Sequence, residues 1–172
     1  ALGQEHRISL WNSVPALLEM VLPLCEMQDA PAGLADLRLV MLSGDWVSPT
    51  LAQRLQAVAP QAQAIALGGA TEASVWSNHW PMAQRVDGCP SVPYGVPLPN
   101  QAFRVVNDLG DDCPDWVPGE LWIGGRGAAA GYFGDEQRTA SQFVTLNGQR
   151  WHRTRASGRW LLGAALAFLG LR

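Results

Sequence analysis

The chain has 172 residues and a formal net charge of −3; 48% of its residues are hydrophobic and only 16% are charged. This length can bury a substantial core, which favours one domain or a piece of a larger one. The small acidic charge argues against a nucleic-acid-binding surface, which needs a basic face. The apolar run Leu161–Leu171 is too short to span a bilayer, so no membrane partner is predicted.

Cysteine usage and the N-terminus bear on the compartment. Cys25, Cys89 and Cys113 are odd in number and scattered, which fits reduced thiols better than a disulfide framework or a metal site. The first residues lack the basic and then apolar order of a secretory signal. We therefore expect a cytoplasmic protein.

The first half of the chain predicts alternating strands and helices. A helix is expected over Ser13–Met27, with Ser13 as N-cap, and a second helix begins at Ser48-Pro49 and runs to about Val58. Leu37–Leu42 and Ile65–Leu67 are predicted to be buried parallel strands. This βαβ order predicts an open parallel sheet with ligand chemistry at the strand ends.

The second half, after Trp80, begins with an irregular proline-rich connection. Gln101–Asn107 and Glu120–Ile123 are then predicted as short strands, and 135–143 as a helix with an acidic first turn. The fold class is therefore α/β, with a parallel sheet and helices over 1–80 and a small mixed sheet or barrel over 81–172.

The segment Leu67–Trp76 joins a strand end, a glycine turn and a Thr-Glu pair. Gly68 and Gly69 let the backbone approach a ligand closely, and Thr71 offers a hydroxyl to a phosphate. Glu72 can hold Mg²⁺, which usually takes one or two protein carboxylates and leaves its other positions to phosphate and water. The alternative is a plain turn entering a helix, with Thr71 as N-cap.

Together with three later motifs, this segment resembles the adenylation domains of nonribosomal peptide synthetases, within the adenylate-forming superfamily. The later motifs, in the family's order, are Tyr94-Gly95-Val96-Pro97-Leu98-Pro99-Asn100, then Gly119–Gly127 with Gly131-Tyr132, then Trp151-His152-Arg153-Thr154. The resemblance implies the large subdomain of that fold. It also implies an enzyme that uses ATP and Mg²⁺ to activate an amino acid and passes it to the phosphopantetheine of a carrier domain, beside condensation or cyclization domains.

The resemblance also implies a side-chain pocket like those of cysteine-activating domains, as in synthetases of thiazoline siderophores of the pyochelin or yersiniabactin type. Its six positions are Asn12, Met41, Ser43, Leu67, Val75 and Trp76. A thiol is a small polarisable hydrophobe, so an apolar wall with few polar contacts suits L-cysteine. Serine or threonine remains an alternative substrate, and Met41, Leu67 and Val75 could instead be ordinary core.

Two positions depart from the family's pattern. Gly68 replaces the aromatic residue that stacks on adenine, which implies backbone contacts from Gly44 and Gly68 instead. Gly69 and Thr71 complete the expected nucleotide contacts, and Thr71 and Glu72 the catalytic pair. Ala156 stands where relatives carry a ribose-binding Asp after Thr-Gly.

All 12 basic residues are Arg, so the chain contains none of the family's catalytic lysines. This implies an internal fragment, without the upstream phosphate loop and the downstream lysine lid, that is inactive alone. Two alternatives stay open: an acyl- or aryl-acid CoA ligase of the same superfamily, and a catalytically dead scaffold piece. His6, His79 and His152 lack metal-ligand spacing, and no catalytic role is predicted for them.

Overall fold

The computed structural model describes residues 5–27, 34–84, 91–161 and 165–171. They form two compact units, the first built from residues 1–67 and 80–92 and the second from 68–79 and 93–172. Each unit has its own buried apolar clusters and is described by itself.

The first unit is built on three parallel strands, β1 (Leu10–Ser13), β2 (Leu39–Leu42) and β3 (Gln63–Gly68). Helix α1 (Pro15–Glu26) follows β1, and α2 (Pro49–Val58) connects β2 to β3. The predicted βαβ order and parallel sheet are confirmed.

The core of the first unit lies between the helices and one face of the sheet. Its fully buried members include Leu18 and Leu22 of α1, Val40 and Leu42 of β2, and Leu51 and Leu55 of α2. Side chains alternate across a strand, so burial of Val40 and Leu42 turns the intervening Met41 to the opposite face.

One predicted helix start is wrong. Ser13 ends β1 instead of capping α1, whose N-cap is Val14 with no side-chain capping bond. The Ser13 carbonyl accepts a hydrogen bond from the Ser43 amide (3.2 Å), and its hydroxyl accepts one from the Trp11 indole (2.7 Å). The Ser13 carbonyl is thus used in pairing with the chain that follows β2, and its hydroxyl is bonded to Trp11 instead of a helix amide. At α2 the prediction is confirmed, because Ser48 caps the helix and Pro49 opens it.

The second unit is built on a five-stranded antiparallel sheet, which the chain reaches after β4 (Asn78–Pro81) and β5 (Val96–Pro97). Its strands are β6 (Gln101–Val106), β7 (Gly119–Gly125), β8 (Phe143–Leu146), β9 (Gln149–Trp160) and β10 (Leu166–Leu171). They lie in the order β10-β9-β7-β6, and β8 also pairs with β9. Helix α3 (Glu136–Gln142) precedes β8 and is capped by Asp135.

Two further findings concern the described residues only. None of their helices has the length and apolar character that crossing a membrane requires. Cys25 and Cys113 are free thiols, and Cys89 lies outside the described residues.

Candidate functional site

The Thr-Glu segment is a loop of the second unit whose two ends are joined by hydrogen bonds. The Ser77 amide donates to the Gly68 carbonyl (2.7 Å), and the Ser77 hydroxyl donates to the Ala73 carbonyl (3.0 Å). Between these ends Thr71–Ala73 form a single 3₁₀ turn. The two bonds fix the turn from inside.

The two glycines of this segment are required by close neighbours. A Cβ on Gly68 would lie 2.5 Å from the Tyr94 ring and 2.9 Å from the side-chain oxygen of Asn78, and one on Gly69 would meet the Val75 carbonyl. The Tyr94 ring therefore fills the space beside Gly68. An aromatic residue at 68 would be excluded here by sterics.

Thr71 is not an N-cap, as it would be if this segment were only a turn entering a helix. The cap position of the 3₁₀ turn is Ala70, and Thr71 is the exposed first residue of the turn. Its hydroxyl is therefore accessible to a ligand. After the turn, Ser74 and Val75 have φ angles of 65° and 69°, a left-handed conformation that is strained for a β-branched residue and is often found at functional sites.

The Glu72 carboxylate lies on the turn, and its side chain is 24% exposed. The Tyr132 hydroxyl donates a 2.6 Å hydrogen bond to its Oε1. Burial alone raises the pKa of Glu72, but the Tyr132 bond, the residue's own amide and the electrostatic interactions with His152 and Arg138 together hold this pKa below its usual value. Glu72 is therefore an ionised, partly exposed carboxylate at neutral pH.

His152 lies on β9 beside this carboxylate, with its Nε2 4.0 Å from Oε1 of Glu72. The residue is 3% exposed, and among the described residues neither ring nitrogen has a hydrogen-bond partner. Burial lowers the pKa of His152, against the opposing pull of Glu72 and Glu120. The sequence predicted no role for His152. The only indication in the sequence was its position inside the Trp151–Thr154 motif.

The glycine-rich loop that follows β7 holds the Thr-Glu turn at its backbone. The Ala129 amide donates to the Glu72 carbonyl (2.8 Å), and the Ser74 hydroxyl donates to the Gly127 carbonyl (2.9 Å). The Arg150 guanidinium in turn donates to the carbonyls of Ala129 (3.0 Å) and Ala130 (2.7 Å). This loop, over residues 127–131, is thus fixed to the turn on one side and to β9 on the other.

In the first unit, four predicted pocket residues share one face of the sheet. Asn12 of β1 pairs in register with Met41 of β2, and Met41 with Ile65 of β3. Register partners project to the same side of a sheet, and so do residues two positions further on. Asn12, Met41, Ser43 and Leu67 therefore line the face opposite the helices, at the carboxyl ends of the strands.

The exposure of the apolar pocket residues does not support the alternative that they are ordinary core residues. Met41 and Leu67 are half-buried and lie outside the core cluster of their unit. Val75 is 62% exposed in the second unit, where Trp76 is half-buried. Gly44, the remaining predicted contact, follows β2 with a φ of +89°, which favours glycine.

The segment Thr154–Ala156 forms a bulge in β9 opposite Leu121. The Thr154 hydroxyl donates to the Leu121 carbonyl (2.6 Å) and accepts from the Ala156 amide (3.0 Å). Arg155 has a φ of 59°, and Ala156 is 4% exposed within the apolar cluster that contains Leu121 and Leu166. Position 156 thus faces the core of the unit.

The residues around Glu72 fit a magnesium ion that carries nucleotide phosphates. Among the described residues no group of three or more His, Cys, Asp or Glu side chains is arranged to hold a metal, which excludes an all-protein cage in that part of the chain. A single ionised carboxylate beside an exposed hydroxyl is the donor set that Mg²⁺ uses when phosphate and water supply its other ligands.

Comparison with known proteins agrees with these motifs. The family model described as "AMP-binding enzyme" matches residues 1–133. The chain belongs to this family. Its relatives include the anguibactin system regulator of Vibrio anguillarum, 50% identical over 98% of this chain and 16% of the relative, and pyochelin synthetase PchE of Pseudomonas aeruginosa, 50% identical over 97% of this chain and 12% of the relative.

A similar solved structure is the nonribosomal peptide synthetase FmoA3 (S1046A), whose AMPPNP-bound form has 38% identity and a TM-score of 0.93 over 98% of this chain and 18% of that chain. A second form is bound to alpha-methyl-L-serine-AMP, with 37% identity over 99% of this chain and 20% of that chain and a TM-score of 0.93. The AMP-binding domain thus has the fold of nonribosomal peptide synthetase adenylation domains. The chain spans less than a fifth of the length of the two curated relatives.

Proposed function

We propose that the full-length enzyme carrying this sequence activates L-cysteine as cysteinyl-AMP and transfers it to a phosphopantetheinyl carrier domain. The observation that carries the proposal is the turn at Thr71-Glu72, where an ionised carboxylate and an exposed hydroxyl lie on a backbone fixed by hydrogen bonds. Such a fixed group suits phosphoryl chemistry, in which positioning and charge stabilisation are the main tasks.

In the proposed reaction a carboxylate oxygen of the amino acid bonds to the α-phosphorus of ATP. The bond from that phosphorus to the oxygen bridging to the β-phosphate breaks, and pyrophosphate leaves. The carrier thiol then attacks the acyl carbon and releases AMP. Mg²⁺, when bound, neutralises phosphate charge, and Glu72 is the residue that would hold it, while Thr71 contacts a phosphate and Gly44, Gly68 and Gly69 allow close approach.

Specificity is proposed to come from the six pocket positions. The face of the first unit that bears Asn12, Met41, Ser43 and Leu67 combines two polar groups with apolar side chains. The parts of Val75 and Trp76, in the second unit, stay predictions from the resemblance. Such a set suits a small polarisable side chain. The identity to PchE of Pseudomonas aeruginosa, a pyochelin synthetase, supports a siderophore context.

A second candidate substrate is a serine-like amino acid. It is favoured by the likeness to the synthetase bound to alpha-methyl-L-serine-AMP. A hydroxyl and a thiol of similar size differ little in an apolar pocket, by about 1–3 kcal/mol. The two candidates share every step except recognition of the side chain.

Amino-acid-dependent exchange of pyrophosphate into ATP by the full-length enzyme tests the proposal. We expect exchange to be fastest with L-cysteine and slower with serine and threonine. Exchange that is equal or faster with a bulky aromatic amino acid or an aryl acid would contradict it. Absence of exchange with every substrate, from a folded enzyme, would instead support a scaffold role.

A further inference from the structure

Tyr132 contacts the Glu72 carboxylate in the second unit but has no role in the proposed reaction. It follows the glycine-rich loop, and its hydroxyl donates to only one of the two carboxylate oxygens of Glu72, Oε1, at 2.6 Å. A donor fixed to one oxygen limits rotation of the carboxylate about its last bond. The other oxygen is then held in one direction before any ligand arrives.

Two contacts hold the Tyr132 ring, and a hydrogen bond holds its backbone. The guanidinium carbon of Arg138 lies 4.0 Å from the ring centroid, and Phe143 contacts the ring edge-on with centroids 5.9 Å apart. The Tyr132 amide donates to the hydroxyl of Thr139 (2.8 Å). Side chains of α3 and β8 therefore determine where the hydroxyl points.

The backbone of Glu72 is fixed by the same segment of chain. Ala129, three residues before Tyr132, donates its amide to the Glu72 carbonyl, and Arg150 fixes the Ala129 carbonyl to β9. Main chain and side chain of Glu72 thus have separate anchors in residues 129–132. A rigid anchor for a metal-binding carboxylate is the arrangement by which outer-shell partners tune metal sites.

We propose that Tyr132 is the positioning residue of Glu72: its hydroxyl orients the carboxylate so that one oxygen remains directed at the metal ion of the bound nucleotide. This inference rests on the proposed role of Glu72. Tyr132 does not touch the reacting atoms, and its effect passes entirely through that carboxylate.

Metal affinity of the full-length enzyme tests this directly. Binding of Mn²⁺, as a paramagnetic substitute for Mg²⁺, is measured by electron paramagnetic resonance in the presence of the ATP analogue AMPPNP. We expect Tyr132→Phe to weaken Mn²⁺ binding about tenfold, the lower end of the range for outer-shell partners. In exchange assays, raised Mg²⁺ should restore the rate without a change in the KM for the amino acid.

The chain offers a matched control, because Tyr94 is its only other tyrosine. Tyr94→Phe also removes one hydroxyl from a largely buried ring, which packs against Phe103 and Phe168. It should leave Mn²⁺ affinity unchanged. An equal loss in both variants would overturn the proposal, since it would report general loosening of the unit.

Glu72→Gln and the double variant separate this inference from the proposed function. If Tyr132 acts through Glu72, adding Tyr132→Phe to Glu72→Gln causes no further loss of Mn²⁺ affinity. A further tenfold loss in that background, or no loss from Tyr132→Phe while Glu72→Gln weakens binding, overturns the inference alone. Unchanged affinity in Glu72→Gln overturns the metal role of Glu72 and the inference with it.

Discussion

The Thr-Glu turn and the bulge at Thr154–Ala156 are two motif segments of the same unit with opposite character. At the turn, the Glu72 carboxylate is kept ionised and accepts a hydrogen bond from Tyr132, while the Ala129 amide donates to the backbone carbonyl of the same residue. At the bulge, Ala156 stands where the resemblance implies an Asp, and it faces apolar side chains. The carboxylate of Glu72 thus lies among hydrogen-bond donors, whereas the side chain at position 156 lies among apolar groups.

The largest effect is expected from breaking the turn. In the full-length enzyme, Glu72→Gln should slow amino-acid-dependent pyrophosphate exchange by at least about a hundredfold, because metal stabilisation of phosphate charge is worth several kcal/mol. Glu120→Gln is the control, since Glu120 contacts the Arg155 amide and the Trp122 indole instead of the turn. Similar losses in both variants would contradict a special role for Glu72.

The next effect concerns the bulge. Ala156→Asp should lower the free energy of unfolding by about 3 kcal/mol, because a carboxylate would replace a methyl group among Leu121 and Leu166 without a partner. Urea unfolding of the full-length enzyme at neutral pH measures this, with Ala156→Asn as a nearly isosteric uncharged control. A stable Asp variant that binds ATP more tightly would show that position 156 faces the nucleotide and not the core.

A smaller gain is expected one residue earlier. Arg155 has a φ of 59°, which costs a residue with a Cβ about 1–2 kcal/mol. Arg155→Gly should therefore raise the free energy of unfolding by about 1 kcal/mol. Asn147→Gly is the control at a similar φ of 51°; Asn tolerates this conformation, so little change is expected. A loss of stability in Arg155→Gly would contradict the strain.

The smallest effect is expected at His152, which lies beside Glu72 of the turn and two residues before the bulge. Burial lowers the pKa of His152 in the folded state below its usual 6.5, so the unfolded chain takes up the proton first and stability falls as the pH drops below 6.5 towards the folded-state pKa. His152→Phe should flatten the dependence of unfolding free energy on pH just below 6.5. An unchanged slope would mean that His152 does not titrate differently in the folded state.

The fold was largely predictable because the pattern of hydrophobic residues determines most of its strands and helices. The strands around Val40 and Ala66 and the helix begun by Ser48-Pro49 follow from apolar runs and a cap. β1 was missed because Leu10–Ser13 alternates over only four residues, and the choice between capping and pairing at Ser13 depends on β2, which is distant in sequence.

The candidate site was predictable only in part. Gly68, Gly69, Thr71 and Glu72 form a local motif, so spacing could identify them. The contacts of Tyr132 and His152 with Glu72 join residues 60 and 80 positions apart, and only the tertiary fold brings them together. Tyr132 was part of a recognised motif without an assigned role, whereas His152 resembled an isolated core histidine.

The central claim is that the full-length enzyme forms an adenylate of cysteine. One competition measures it: the enzyme is given ATP, Mg²⁺ and equal concentrations of L-cysteine and L-serine, and the adenylates are identified by mass spectrometry. The account predicts cysteinyl-AMP in excess. Seryl-AMP in excess, or neither adenylate from a folded enzyme, would contradict it.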